Sequence, residues 1–239
     1  MSARKRINAI LQLFGYTVEH HDEVGGVLYG LYQYRDRAGK FDYERYRKIQ
    51  TAGNVRKIEN VFVKEENIRM LADYIKSVIG QPEFGVCHGT RRGLDQAWFR
   101  KYLDCDVFGT EISHTAIEFP NTIQWDFHES KPEWVDHFDF IYSNSFDHSY
   151  DPRACLRTWL GCVRSGGLCI LEHTSMHEFI RRTDPLDPFG APLEVMPYLI
   201  AEWAEGRFGV RRILELPAKG NYPRSNAIVI QRFDKPDSL

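Results

Sequence analysis

The segment at residues 84–93, with the sequence FGVCHGTRRG, has the residue types that a ligand-binding turn needs. A short apolar run ends there in a turn that contains Gly85 and Gly89, and neither glycine has a Cβ atom to keep a ligand away from the backbone amides. The following segment, LDQAWFRKY at 94–102, predicts a helix whose positive N-terminal end points at the bound group. The pattern indicates a loop for a nucleotide-type ligand, and an ordinary strand-to-helix turn is the alternative.

Composition limits the class of protein. The chain has 239 residues, of which 43% are hydrophobic and 27% are charged, and this suits one α/β domain or one domain with an appendage. No apolar run approaches the roughly 18 residues of a membrane helix. The basic start of the chain is followed by too short an apolar stretch for a signal peptide. We therefore expect a cytoplasmic protein with no membrane partner.

Charge and cysteine content exclude two kinds of site. The formal net charge of −2 argues against a dedicated nucleic-acid binder. The cysteines are odd in number and form no CxxC pair, which predicts reduced thiols and no metal framework. These cysteines are Cys87, Cys105, Cys155, Cys162 and Cys169.

Residues 1–80 predict an N-terminal extension or lid with helical and irregular parts. A helix at 4–13 is followed by β-branched and aromatic residues around Gly25 and Gly26, which predict a short hairpin or an irregular flap. The apolar spacing in KEENIRMLADYIKSVI predicts a helix at 64–79.

The stretch FDYERYRKIQTAGNVRKIENV at 41–61 has two interpretations. It is a solvated helix face with a loop around Gly53 and Asn54, which we favour, or a polar lid over a ligand. The lid candidates are Tyr43, Tyr46, Arg47, Lys48, Arg56 and Lys57.

From residue 81 the pattern alternates between strands and helices. Short apolar strands separated by helices predict parallel pairing with both faces covered, which is a Rossmann-like α/β fold. The predicted strands lie at 83–86, 107–111, 122–125, 138–142, 168–171, 210–216 and 227–233, with a turn at 165–167 before the fifth. The last two follow each other without a helix and predict an antiparallel pair at the sheet edge. The proline-rich segment at 177–192 predicts a surface loop.

The order of these segments resembles the class I S-adenosylmethionine-dependent methyltransferases over roughly residues 80–233. The resemblance depends on five segments: the glycine loop, VFGTEIS, IQWDF, FDFIYSNSFDHSYDP and the VRSGGLCILEH that follows it. It implies a mostly parallel seven-stranded sheet with an antiparallel last strand, in a methyltransferase domain at 81–239. It also implies S-adenosyl-L-methionine as cofactor and methyl transfer to an O or N atom of a small-molecule acceptor, with a sugar or secondary metabolite as the first hypothesis.

The resemblance implies a role for two acids. Glu111 corresponds to the acid that accepts both ribose hydroxyls, and Asp126 to the acid that takes the adenine amino group, with Phe127 packing against the ring. A helix cap or surface acid is the alternative for Glu111, and a turn cap for Asp126. The other residues implied at the cofactor are Gly85, Cys87, His88, Gly89, Ile112, Ser143 and Asn144.

The glycine loop departs from the family pattern. Gly85 stands where the family usually has an acid, and Cys87 and Arg91 stand where it has flanking glycines. The missing carboxylate leaves open how the methionine end is held, and Arg91 or Arg92 could meet the methionine carboxylate.

Methyl transfer is an in-line displacement in which positioning supplies much of the rate, so a base is optional. His148 and Asp147, after the fourth strand, are the catalytic candidates, and His173 is next. His148 also belongs to an HxxDP pattern that is often structural.

Two other functions are compatible with the sequence. A non-catalytic nucleotide-binding or scaffold protein would keep the fold without transferring methyl groups. RNA methylation would instead use the basic and aromatic stretch at 43–57.

Overall fold

The alternating segments of the sequence build a seven-stranded sheet. The computed structural model describes residues 16–20, 27–178, 183–217 and 224–233. The strands in these ranges are β1 (Tyr16–His20), β2 (Val27–Tyr32), β3 (Phe84–His88), β4 (Asp106–Glu111), β5 (Thr122–Gln124), β6 (Phe138–Ser143), β7 (Val163–Thr174), β8 (Phe189–Gly190), β9 (Phe208–Glu215) and β10 (Ser225–Arg232). The α-helices are α1 (Tyr43–Arg56), α2 (Glu65–Ile79), α3 (Leu94–Leu103), α4 (Pro152–Cys162) and α5 (Met196–Ala204).

The large sheet has the order β5-β4-β3-β6-β7-β10-β9. The first five strands in that order pair in parallel, whereas β10 runs antiparallel to both β7 and β9. The predicted Rossmann-like sheet with its antiparallel last strand is therefore confirmed. The central strand β6 is buried along its whole length because the sheet is covered on both faces.

Each face of the sheet has its own apolar core. On one face, α2 buries Ile68, Leu71, Ala72 and Ile75, which recur at helical spacing, in a cluster that includes Phe140 of β6. On the opposite face, α4 and α5 pack with aromatic residues such as Trp159 and Trp203. A helix from the predicted N-terminal extension thus packs in the core of the sheet.

A second, three-stranded sheet forms beside the first. Strands β1 and β2 pair antiparallel, as expected for the predicted hairpin, and β2 also pairs with β8. The segment at 177–192, predicted as a surface loop, therefore contributes a strand, and Phe189 in it is buried. The helix predicted at 4–13 and the two glycines of the predicted hairpin or flap, Gly25 and Gly26, lie outside the described residues.

Two local predictions were wrong. Gly53 and Asn54 lie inside α1 rather than in a loop, and a Cβ at Gly53 would come within 2.6 Å of Leu186 Cδ2, so the Leu186 side chain would have to shift. The turn predicted at 165–167 lies inside β7, where Gly166 adopts a φ of +76° that favours glycine.

The five cysteines carry free thiols, and four of them are buried. Within the described ranges, no helix combines the length and apolar character required to cross a membrane.

A buried carboxylate holds the start of β3 against β6. Asp139 Oδ2 accepts hydrogen bonds from the amides of Glu83 and Phe84 at 2.7 and 2.8 Å, and its other oxygen pairs with Arg164. Asp139→Ala would leave two amides and a guanidinium without their partner. We expect it to lower the free energy of unfolding by about 3 kcal/mol in urea denaturation. Asp73→Ala, on the exposed face of α2, is the control, with an expected change within about 0.5 kcal/mol; equal losses would contradict this role of Asp139.

Candidate functional site

Two cavities that share part of their lining lie at the carboxyl ends of the parallel strands. The smaller is about 60 Å³ and the larger about 200 Å³. Gly89 and Arg91 of the glycine loop, Ser145 and His148 after β6, and Lys57 after α1 line both. Parallel strands bring their carboxyl ends to one edge of the sheet, which is where ligands bind in such folds. The two cavities are therefore parts of one candidate site.

Glu111, the last residue of β4, lines the smaller cavity. It is 6% exposed, and its carboxylate accepts hydrogen bonds from the backbone amides of Arg91 and Ser113, both at 3.1 Å. Burial raises the pKa of the Glu111 carboxyl above its ordinary value, and these two amides oppose that rise. Each oxygen keeps a further lone pair, so the carboxylate can accept two hydroxyl groups side by side.

Asp126 lines the same cavity as Glu111. Its Oδ1 accepts from the backbone amide of His128 at 2.9 Å, and Tyr43 of α1 donates its hydroxyl to Oδ2 at 2.9 Å. Asp126 thus caps a turn and also lines the cavity together with Phe127 and Ile112. Burial alone would raise the pKa of Asp126, but the hydrogen bonds from His128 and Tyr43 hold it below its ordinary value.

The imidazole of His128 fixes the orientation of Asp126. The backbone amide of Tyr150 donates to His128 Nε2 at 3.2 Å, so Nε2 is an acceptor and Nδ1 carries the proton that is donated to Asp126 Oδ1 at 2.7 Å. The His128 ring also stacks on Tyr150 with 3.7 Å between ring centres. No sequence signal identified this residue, because its role depends on the contact with Tyr150.

Helix α1 covers the smaller cavity. Tyr46 is 2% exposed and lines the cavity with Gln50, which donates to the carbonyl of Leu186 at 3.0 Å. Of the six lid candidates, Tyr46 and Lys57 face the site and Tyr43 binds Asp126, whereas Arg47, Lys48 and Arg56 are exposed. The solvated-face interpretation holds for these last three residues only.

The backbone of the glycine loop approaches the site closely at Gly89. Gly89 has a φ of +72° and lines both cavities, and a Cβ there would lie 2.6 Å from Ser145 Cβ. The other predicted cofactor residues of this region are Gly85, Cys87, His88 and Ser143, which are buried below the two cavities and line neither.

These buried residues hold the loop in place. Ser143 donates its hydroxyl to the carbonyl of His88 at 2.9 Å, and the His88 ring stacks on Trp159. Burial lowers the pKa of His88 to about 3, so its imidazole is neutral. Gly85 faces Phe140, whose ring would lie 2.3 Å from a Cβ. The prediction that Gly85, Cys87, His88 and Ser143 contact the cofactor has no support from the cavity lining. Asn144, another predicted cofactor residue, lines the larger cavity.

Gly89→Ala tests the close approach of the loop. We expect it to lower the free energy of unfolding by about 2 kcal/mol in urea denaturation, because it combines left-handed backbone strain with a steric clash against Ser145. Gly39→Ala is the matched control, since Gly39 has a similar φ of +79° with nothing within 4 Å of a Cβ. Its loss measures the strain alone, at about 1 kcal/mol. Equal losses for both variants would contradict a tight contact at Gly89.

His148 lines both cavities and has a defined tautomer. Its Nδ1 lies 2.6 Å from the carbonyl oxygen of Leu186, and a carbonyl can only accept, so Nδ1 carries a proton. In the neutral ring Nε2 then holds a lone pair and can accept a proton from a ligand.

Asp147 and His177 lie beside His148 in the larger cavity. The amide of Thr174 donates to His177 Nδ1 at 3.3 Å, so the protonated Nε2 faces Asp147 Oδ2 at 3.6 Å. Although burial alone would raise the pKa of Asp147, the imidazoles of His177 and His148 hold it below its ordinary value. Among the described residues, ligand atoms of Asp147, His148 and Asp187 also lie within 4.8 Å of one another, a spacing that a metal ion could use.

The larger cavity contains two buried acids that the sequence analysis did not identify. Asp95, in the first turn of α3, is 4% exposed, and Glu172, near the end of β7, is 6% exposed. In the sequence, Asp95 is an acid in the first turn of a predicted helix beside the glycine loop, and Glu172 is an acid at the end of an apolar strand. Both patterns are common, so neither acid could be identified from them. His173, the second base candidate, instead faces away from both cavities and donates Nε2 to the carbonyl of Ala191 at 2.9 Å. Burial lowers its pKa to about 4.

Comparison with known proteins gives similarity in structure but not in sequence. No protein-family model matches the chain, and a search of curated proteins finds no match. The 1,6-didemethyltoxoflavin-N1-methyltransferase of Burkholderia thailandensis, solved with S-adenosylhomocysteine, aligns at a TM-score of 0.61 with 13% identity, over 90% of this chain and 99% of its own.

Two further structures have a similar fold. The plantazolicin methyltransferase BpumL, also solved with S-adenosylhomocysteine, aligns at a TM-score of 0.61 with 12% identity, over 80% of this chain and 96% of its own. The [4+2]-cyclase SpnF aligns at 0.54 with 12% identity, over 70% of this chain and 81% of its own. Because one of these neighbours is a cyclase, the fold does not by itself fix the reaction. The strand order, the antiparallel last strand and these similarities together identify the class I methyltransferase fold.

Proposed function

We propose that this protein is an S-adenosylmethionine-dependent methyltransferase that transfers a methyl group to an O or N atom of a small-molecule acceptor. The observation that carries the proposal is Glu111. Its buried carboxylate ends β4, is held by two backbone amides and lines a cavity at the carboxyl edge of the sheet. That position and chemistry suit recognition of the two ribose hydroxyls of a nucleoside.

The residues around Glu111 suit the rest of the cofactor. Asp126 has a polar edge for the adenine amino group, and Phe127 and Ile112 supply apolar surface for the ring. Gly89 forms a cradle that any side chain would fill, so the backbone can approach a ligand closely. Arg91 lines both cavities and its Nε has no hydrogen-bond partner within the described chain, which suits a ligand carboxylate.

S-adenosylmethionine supplies an electrophilic methyl group on a sulfonium. The contribution of this chain is to hold the acceptor near the shared wall of the two cavities and to take up the acceptor's proton. His148 Nε2 is the proton acceptor, because Leu186 fixes the other ring nitrogen as a donor. Asp147 stabilises the imidazolium that forms, since its carboxylate faces the neighbouring ring of His177 and lies beside His148.

The shape of the larger cavity supports a small-molecule acceptor. The cavity has an apolar wall whose side chains are partly exposed to solvent: Val61, Phe62 and Met176. In structural neighbours the bound substrates are small molecules such as 1,6-didemethyltoxoflavin. The division into an N-terminal extension or lid at 1–80 and a methyltransferase domain at 81–239 is part of this proposal. Within the extension, α1 covers the cofactor side, whereas α2 packs in the core of the sheet.

Two measurements test the proposal. Calorimetry is expected to give micromolar or tighter binding of S-adenosylhomocysteine, and absence of that binding together with tight binding of NAD would overturn the cofactor assignment. Incubation with radiolabelled S-adenosylmethionine and a cell extract is expected to label a small-molecule fraction. Binding without labelling would favour the scaffold alternative, and labelling of RNA with a steep salt dependence would favour RNA methylation.

A further inference from the structure

Two buried acids form the floor of the larger cavity. Asp95 and Glu172 come from different elements, α3 and β7, and both line the cavity although each is less than 7% exposed. Asp95 Oδ2 is fully buried and has no hydrogen-bond partner among the described residues. A buried carboxylate oxygen without a partner is costly, and such atoms usually have a function or an absent partner.

The partners of Glu172 leave it able to bind a cation. Tyr142 donates its hydroxyl to Glu172 Oε2 at 2.6 Å, and Ser225 donates to Oε1 at the long distance of 3.5 Å. The Asn67 side chain also hydrogen-bonds to Glu172, so its three side-chain partners are uncharged groups that stabilise the carboxylate without neutralising it. The nearby imidazole of His177 favours the ionised form of Glu172. Burial nevertheless raises the pKa of Glu172 above its ordinary value.

The groups facing Asp95 do not neutralise it either. They are Glu172 from β7, Glu111 from β4 and Arg91 from the glycine loop, so two of the three are acids. The Arg91 guanidinium contacts the Phe62 ring at 4.8 Å and donates to the carbonyl of Asn60 at 3.2 Å. Burial and the charge of Glu172 together raise the pKa of Asp95 to about 8. Acids therefore outnumber the cation Arg91 among the groups that face Asp95.

We propose that Asp95 and Glu172 form a subsite for the alkylammonium group of a ligand. An ammonium has three donors, enough to reach the free oxygen of Asp95 and an oxygen of Glu172 together. The ammonium belongs either to an acceptor molecule, as a group separate from the O or N atom that is methylated, or to the methionyl part of the cofactor, where the acid expected at Gly85 is absent. The inference rests on the proposed function for this choice, but the subsite itself follows from the two acids.

The test compares wild type with Asp95→Asn, which keeps the shape of the side chain and removes its ability to ionise. Three probes are titrated by calorimetry: S-adenosylhomocysteine, 5′-methylthioadenosine, which lacks the amino-acid part, and n-butylamine with saturating S-adenosylhomocysteine. If the cofactor supplies the ammonium, the variant weakens S-adenosylhomocysteine at least tenfold and leaves 5′-methylthioadenosine unchanged. If the acceptor supplies it, the variant weakens n-butylamine at least tenfold and leaves S-adenosylhomocysteine unchanged.

A second readout reports the charge of Asp95 directly. A bound ammonium favours the ionised carboxylate. Binding of the probe that carries the ammonium, S-adenosylhomocysteine or n-butylamine, is therefore expected to release up to one proton near pH 7 in wild type. The release appears as a dependence of the binding enthalpy on the ionisation enthalpy of the buffer, and Asp95→Asn should reduce it. Glu172→Gln is the second variant and is expected to act in the same direction. Asp73→Asn, on the exposed face of α2, is the control and should change neither readout.

The outcomes separate this inference from the proposed function. Unchanged affinities for all three probes in both variants, with unchanged proton release, would overturn the subsite. Wild-type protein that binds neither nucleoside would overturn the proposed function, and n-butylamine titrated into the free protein would then still test the subsite.

Discussion

Glu111→Gln is expected to weaken the binding of S-adenosylhomocysteine about 100-fold. In wild type, the two carboxylate oxygens accept from the amides of Arg91 and Ser113 and keep lone pairs for two ribose hydroxyls. Glutamine has one acceptor oxygen, so its NH₂ group must face an N–H or a hydroxyl group. Hydrogen bonds to a charged group are worth about 1.5–3 kcal/mol each, and a loss of about 2.8 kcal/mol corresponds to 100-fold in affinity.

Calorimetry with purified wild type and variant measures this loss, and thermal unfolding checks that both proteins are folded. Glu118→Gln is the matched control, because Glu118 is an exposed glutamate a few residues along the chain and should leave the affinity unchanged. A folded Glu111→Gln variant that binds within threefold of wild type would show that this carboxylate does not contact the ribose. The proposed function would then lose the observation on which it depends.

The sequence was sufficient to predict where acids meet at the sheet edge. Strands that alternate with helices pair in parallel, and their carboxyl ends gather at one edge. The family resemblance, which matches Glu111 and Asp126 to acids at the ends of two such strands, therefore implied that the two lie together. The structure has both at the smaller cavity. The glycine loop was predictable only at Gly89, because a positive φ and a close approach are needed there, whereas Gly85 packs against Phe140 instead.

The sequence indicated a cover over the site as only one of two interpretations of residues 41–61, because the cover depends on contacts between distant segments. Gly53 resembled a loop residue, yet it lies within a helix where the chain passes close to Leu186. Tyr43 was a lid candidate, but its partner Asp126 lies 83 residues away and could not be assigned from the sequence. Asp95 looked like an ordinary first-turn acid, since the burial that distinguishes it is a property of the folded chain.

The tautomer of His148 also could not be predicted from the sequence. It follows from the carbonyl of Leu186, which belongs to the segment predicted as a surface loop. That segment is instead tied to β2 through β8, so it can hold the carbonyl in a fixed position. The catalytic assignment of His148 therefore depends on an interaction that the HxxDP pattern does not contain.

His148→Asn is expected to lower kcat at least 100-fold while leaving the affinity for S-adenosylhomocysteine within threefold. The asparagine amide lies where Nδ1 was, so it can still donate to the carbonyl of Leu186, but nothing replaces the basic Nε2. General-base catalysis by a positioned histidine typically contributes 10²- to 10⁴-fold. If His148 had a structural role instead, the variant would lower the thermal stability of the protein or its affinity for the cofactor.

The assay is transfer of radiolabelled methyl groups at saturating cofactor to the acceptor fraction identified in extract, with calorimetry of S-adenosylhomocysteine in parallel. His114→Asn is the control, since His114 is exposed at the start of the short 3-10 helix after β4 and should leave kcat unchanged. If His148→Asn keeps kcat within threefold, the acceptor needs no base and positioning alone supplies the rate. If kcat and cofactor affinity fall together, His148 acts in binding, and the separation of the two parameters is what assigns the proton transfer to Nε2.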